Sequence, residues 1–242
     1  MKSTIKKSVL LLALLTITVS RAQSEKIKGN GNVTKKAITT TNYDEVRVSG
    51  FFDVSLVAGT EGQITIEGEE NLLDYIECKV NDKALQISVK KDKRICPRAG
   101  KSITVTVPFE SLNNVTLAGS GDIVSKQTIK SEKFATTLAG SGNITLDIDA
   151  QEMAAKVTGS GDMTLKGKVR ALTCSVTGSG NLDAFSLQSG NVDSTVAGSG
   201  NCKVNCSDSL QARVVGSGDI DYQGEPKKKD TKVTGSGSIS KA

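Results

Sequence analysis

The chain has no histidine and no tryptophan, only three prolines, and few rings of any kind: three Tyr and five Phe among 242 residues. Without histidine, His-ligated metal centres, Ser-His-Asp triads and Cys-His nucleophile pairs are excluded. The shortage of aromatic rings leaves a poor stacking platform for single-stranded nucleic acid or for sugar rings. Long hydrophobic runs are also missing. The only apolar stretch, Val9 to Val19, is interrupted by Thr16 and Thr18 and falls short of the roughly 20 residues that span a bilayer.

That stretch follows Lys2, Lys6 and Lys7 and precedes Ser20-Arg21-Ala22. A charged start, an apolar middle and a small-x-small end together read as a secretory signal peptide over residues 1–22, cut between Ala22 and Gln23. Its removal takes away four basic residues, leaving 31 − 4 = 27 basic against 26 acidic side chains. The mature chain therefore lacks the electrostatic footprint of a nucleic-acid binder. Lys90 to Arg94 and Lys227 to Lys229 read as solvated charge runs. No transmembrane segment is expected after the leader.

Five cysteines are an odd number for an exported chain, so at least one thiol stays free or pairs between chains. Cys78 and Cys96, both in the irregular first half, are the expected disulfide. Cys202 and Cys206 would stand about 13 Å apart in one extended strand, too far to bridge unless a corner falls between them. No spacing matches a zinc site, and no cofactor motif is present.

What the sequence does have is glycine with a period. Gly-Ser-Gly occurs seven times, starting at Gly119, Gly140, Gly159, Gly178, Gly198, Gly216 and Gly235, at intervals of 21, 19, 19, 20, 18 and 19 residues. With their second members Gly121, Gly142, Gly161, Gly180, Gly200, Gly218 and Gly237, these motifs hold fourteen of the 24 glycines. Two positions before each motif stands Leu or Val, from Leu117 to Val233. Four positions after its first glycine stands Ile123, Ile144, Met163, Leu182, Cys202, Ile220 or Ile239. Cys174 and Cys202 fall in columns otherwise filled by small or apolar residues and read as buried thiols.

A period near 20, alternating β-branched residues and no helical heptads predict an all-β fold, a parallel β-helix or solenoid of about 18–21 residues per coil. A β-propeller needs longer blades, and the Leu-x-x-Leu-x-Leu of a leucine-rich repeat is absent. Each Gly-x-Gly would mark the same sharp bend, with coils about 4.8 Å apart. The residue after the second glycine would point outward, building a row of Asp122, Asn143, Asp162, Asn181, Asn201 and Asp219, with Ser238 last. Interleaved amides keep the carboxylates from adjoining, which spares a repulsion of nearly 1 kcal/mol per pair in water. A calcium-binding roll would need a period half as long and undiluted carboxylates.

Before Pro108 the pattern is less regular. Val46 and Val48, Val54 and Leu56, Ile64 and Ile66, Leu85 to Val89 and Ile103 to Val107 alternate as short strands, the last ending at Pro108. A helical turn fits Asn71 to Ile76.

The ordered combination of Val46-Arg47-Val48-Ser49-Gly50-Phe51-Phe52-Asp53-Val54, Gly68 to Leu73, and repeated Gly-Ser-Gly-Asp/Asn-Ile resembles the putative auto-transporter adhesin head GIN domain family, over roughly Tyr43 to Tyr222. That resemblance implies a right-handed, strand-rich solenoid, an exported protein of Bacteroidetes-type bacteria and an adhesive or envelope role, with no catalytic residues to carry over. The chain is thus divided into the leader, a lead-in or cap over 23–42 and a solenoid domain over 43–242 whose regular coils begin near 115. Three roles follow. The first is a non-enzymatic adhesion module, in the periplasm or at the surface of a Gram-negative cell, binding an envelope or host-surface protein or glycan. The second is a self-assembling structural protein, a homo-oligomer stacked through its end coils. The third is a polysaccharide-active enzyme, which the regular rather than clustered aspartates disfavour.

Overall fold

A computed structural model of the chain describes residues 25–242. The expected leader and its expected Ala22–Gln23 junction lie outside the described residues. The first part forms β1 (Glu25–Lys28), β2 (Val33–Thr39), β3 (Glu45–Gly50) and β4 (Asp53–Ala58). Next come β5 (Gln63–Glu69), the short helix α1 (Glu70–Leu73), β6 (Ile76–Asn81), β7 (Ala84–Val89), β8 (Lys93–Cys96) and β9 (Thr104–Phe109). The repeats supply β10 (Asn114–Gly119), β11 (Asp122–Ser125), β12 (Ile129–Gly140), β13 (Asn143–Gly159), β14 (Asp162–Gly178) and β15 (Asn181–Gly198). Last are β16 (Cys202–Gly216), β17 (Ile220–Gln223), β18 (Lys228–Gly235) and β19 (Ile239–Lys241).

The expected all-β parallel solenoid is present, with about seven turns. Nearly equal repeat lengths, with register shifts in β14–β15 and β15–β16 taking up the differences there, let each coil lie on the last in parallel register, so Leu117, Leu138, Val157, Val176, Val196, Val214 and Val233 form one continuous column. The column from Ile123 to Ile220 is built the same way, and both are buried. Val233 is 42% exposed, because among the described residues its strand pairs on one side only. Each enclosed Val, Leu or Ile contributes roughly 1.5–3 kcal/mol. Stacking repeats that gain until it outweighs the ordering entropy a single coil could not offset.

The first half departs from sequence order. β3 and β4 form a coil of their own, with Gly50 in register with Gly119 and Asp53 in register with Asp122. On their far side lie β7 and β9, which come later in the chain. The chain therefore builds its second level first, leaves to build the level beneath, and returns for β10. The excursion needs reversals, which the antiparallel pairs β2–β5, β5–β9 and β6–β7 provide. At the β6–β7 hairpin, Asp82 and Lys83 take φ of 48° and 61°, as a tight two-residue turn demands.

Pro108 does not end its strand. It pairs with Val57 inside β9, at a point where the β5 pairing, confined to Thr104–Thr106, has already stopped. A residue without an N–H is tolerated where one side of the strand is an edge. The Pro108 carbonyl accepts the Tyr43 hydroxyl.

The Cys78–Cys96 bridge is not formed. All five cysteines are free thiols, and these two belong to different sheets: Cys78 pairs with Ile87 in the main sheet, while Cys96 pairs with Lys28 in the small β1–β8 sheet. Burial, and after it the charge of Glu77, pushes the Cys78 thiol up to about 12. Burial also raises the Tyr43 phenol, with Glu61 adding to it. Both folded values lie above the unfolded ones, so their contribution to stability is present below about pH 8.5 and is lost as pH rises through the folded values. The midpoint of urea unfolding should therefore fall between about pH 8 and pH 11, and less steeply in Cys78→Ala. A flat midpoint across that range would contradict the buried-thiol account.

Candidate binding surface

The bend of each coil is set by its glycine pair. The first glycine of each Gly-Ser-Gly takes φ between +113° and +148°, and from Gly119 to Gly216 its carbonyl accepts two N–H groups from the coil above. Gly119 O, for example, receives Ser141 N–H at 3.0 Å and Gly142 N–H at 3.1 Å. The sequence motif missed one corner, Gly50-Phe51-Phe52-Asp53, where Phe-Phe stands for Ser-Gly. The signal was available in the spacing of Val46, Val48, Gly50 and Val54.

Outward from the corners runs the Asp/Asn row. Asn143 Nδ2 donates to Asp122 Oδ1 at 2.9 Å, Asn181 Nδ2 to Asp162 Oδ1 at 2.8 Å, and Asn201 Nδ2 to Asn181 Oδ1 at 3.1 Å. Asp219 N–H donates to Asn201 Oδ1 at 3.1 Å, and Ser238 Oγ to Asp219 Oδ1 at 2.7 Å. The structure corrects one detail: Asp53 joins the row beside Asp122, so two carboxylates do adjoin. A shallow recess of about 350 Å³ lies along this row, with Asp162, Asn181, Asn201 and Lys203 on its walls. Among the described residues, no group of three or more His, Cys, Asp or Glu is placed to hold a metal ion.

A larger concavity, about 720 Å³, opens on another side. Two outward rows make its walls. In one, Asn114, Ala135, Ala154 and Thr173 stack in register, with Glu45 next to Asn114. In the other, Lys133, Glu152 and Ala171 stack. Between them the edges of Phe134 and Met153 form the floor. Five levels at the coil spacing give a groove roughly 19 Å long. The alanines create it, since larger side chains at those positions would fill the space. At its rim Lys133 and Glu152 pair at 2.9 Å, and the hydrogen bond to Glu152 raises the Lys133 ammonium. The arrangement can take an elongated ligand with an apolar body and a few polar groups. None of these groove residues stood out in the sequence, because only stacking brings them together.

Among the described residues, no helix is long and apolar enough to cross a membrane. No curated protein matches the chain. Solved structures do. A crystal structure described as a "putative adhesin" from Bacteroides fragilis shares 23% identity at a TM-score of 0.82, over 89% of this chain and 100% of its own. A "putative lipid binding protein" from Parabacteroides distasonis shares 26% identity at a TM-score of 0.76, over 90% and 100%. A "putative adhesin" from Parabacteroides merdae shares 22% at 0.71, over 90% and 99%. The domain described as "putative auto-transporter adhesin, head GIN domain" matches residues 42–226. With that match covering most of the solenoid, the chain belongs to the GIN-domain family.

Proposed function

We propose that this chain is an exported, non-enzymatic binding module of the bacterial envelope that holds its partner along the side of the solenoid. The observation that carries this reading is the open groove between the Asn114–Thr173 row and the Lys133–Ala171 row. Rigid stacked coils fix those rows, so little ordering is needed when a partner docks. The adhesin names of the family and of two similar structures support the same reading. The partner is an envelope or host-surface glycan or protein, met in the periplasm or outside the cell. A lipid-binding reading has its own support in the alanine-walled, apolar floor of the groove and in the Parabacteroides distasonis relative.

Immobilised protein should bind one of three defined probes saturably: envelope polysaccharides, purified outer-membrane proteins or phospholipid vesicles. Ala154 is exposed, so Ala154→Arg fills the groove without disturbing the core, and binding should weaken at least about tenfold. Binding to vesicles alone would replace the adhesion reading with the lipid one. Absence of saturable binding, or an Ala154→Arg variant that binds normally, would overturn the groove assignment.

A further inference from the structure

Two sulfur atoms meet inside the core one coil apart. Cys174 stands four residues before the corner glycine Gly178, and Cys202 four residues after Gly198. These two columns face each other across the bend: within one coil, Ser194 Oγ lies 3.2 Å from Cys202 Sγ. Cys174 stacks on Ser194 in the parallel register, which brings its Sγ to 3.7 Å from that of Cys202. Both side chains are buried. A disulfide needs about 2.05 Å between the sulfurs, so small side-chain rotations would close the gap.

The remaining thiols are engaged elsewhere. Cys206 Sγ donates toward the carbonyls of Gly190 and Ser209, Cys78 lies among β6 and β7, and Cys96 is in the separate small sheet.

We infer that Cys174 and Cys202 form a disulfide that staples two neighbouring coils when the chain folds with a small organic disulfide present as oxidant. The thiolate of Cys174 attacks one sulfur of that disulfide, breaking its S–S bond and releasing one thiol. The thiolate of Cys202 then attacks Cys174 Sγ and expels the second thiol. Overall the protein loses two protons and two electrons, and the oxidant takes them up as two thiols. In the closed core the hydrogen bond to Cys174, together with burial, holds Cys202 well above its ordinary pKa. Exchange therefore precedes closure of the coils or uses a local opening. The bond would span 28 positions, enclosing the whole of β15 and restricting the unfolded chain.

The test is to refold the reduced, denatured chain in a glutathione redox buffer, alkylate the remaining thiols and digest with trypsin. No Lys or Arg lies between Ala171 and Lys203, so both cysteines leave in one peptide. The expected product is that peptide unalkylated, two hydrogens lighter than its dithiol form, and still joined after a second cut beside Phe185. The oxidised protein should melt roughly 5–12 °C above the reduced one. Cys202→Ala should lose both the bond and the increment. Should that variant fail to fold, Cys174→Ser supplies the comparison, since serine already occupies the column at Ser194. A doubly alkylated peptide in most chains, or a bridge from either residue to Cys206, would overturn the inference.

Discussion

Replacing Gly161 by alanine is expected to cost about 3–5 kcal/mol of stability, enough to unfold most of the chain at ambient temperature. The added Cβ would lie 2.2 Å from the carbonyl oxygen of Gly142 and 3.0 Å from Leu138 Cδ2. Neither neighbour can yield alone. The Gly142 carbonyl accepts Asp162 N–H at 3.3 Å, and Leu138 is fixed in the buried column. Relieving the contact would mean spreading two coils and weakening the ladder on both arms of the bend. Gly100→Ala is the control. It combines φ of +75° with nothing within 4 Å of the added atom, so only the conformational strain of about 1 kcal/mol remains. Urea unfolding of the two variants separates close stacking from backbone strain. Equal losses would refute the stacking account.

That contrast also explains what could be read from the chain beforehand. The seven Gly-Ser-Gly corners were legible because steric demand at a coil contact is local: in the coils from Gly119 to Gly237 a Cβ at either glycine would collide with the backbone of the coil beneath. The aliphatic columns were legible for the same reason, since every coil presents the same position to the same core. The Gly50 corner escaped because Phe51-Phe52 replaces Ser-Gly, and Phe52 is wholly buried where other coils carry glycine. The excursion from β5 to β9 escaped for a different reason. Alternation shows that Ile64, Ile87 and Val105 are strand residues facing inward, but nothing in a local pattern says that β7 and β9 belong beneath β3 and β4.

The groove and the sulfur pair were hidden by the same limit. Ala135 and Ala154 are unremarkable residues 19 positions apart, and they become a wall only when the coils stack. Cys174 and Cys202 stood in recognised columns, yet the sequence does not state that those columns face each other across the bend. A repeat specifies which residues share a row. It leaves open which rows are opposed, and that depends on how sharply each glycine corner turns.

The second large effect is expected at the other end of the fold, where Glu69→Ala should cost about 2–4 kcal/mol and release β1 from the body of the protein. Glu69 is 1% exposed, an expensive place for a carboxylate unless its oxygens are satisfied. They accept Gly31 N–H at 2.6 Å and Arg98 N–H at 2.8 Å. The carboxylate thus joins the loop after β1 to the loop after β8. Neighbouring bonds follow the same seam: Glu70 N–H donates to Asn32 O, and Asn71 Nδ2 to Lys28 O, both at 2.8 Å. Gly29 is the residue that makes room, since a Cβ there would fall 1.9 Å from Glu69 Oε2. In Glu69→Ala two part-buried backbone donors lose their acceptor. Glu69→Gln keeps one carbonyl oxygen but turns an amide N–H₂ toward the other donor, so its loss should be about half as large. Hydrogen exchange is the discriminating measurement. Amides of β1 and β8 should exchange much faster in Glu69→Ala, whereas those of β13 to β15, protected by coils on both sides, should keep the protection that global unfolding sets. Uniform acceleration along the whole solenoid would mean instead that the β1–β8 pair and the coils unfold as one unit, and that Glu69 supports the repeats as well as the seam.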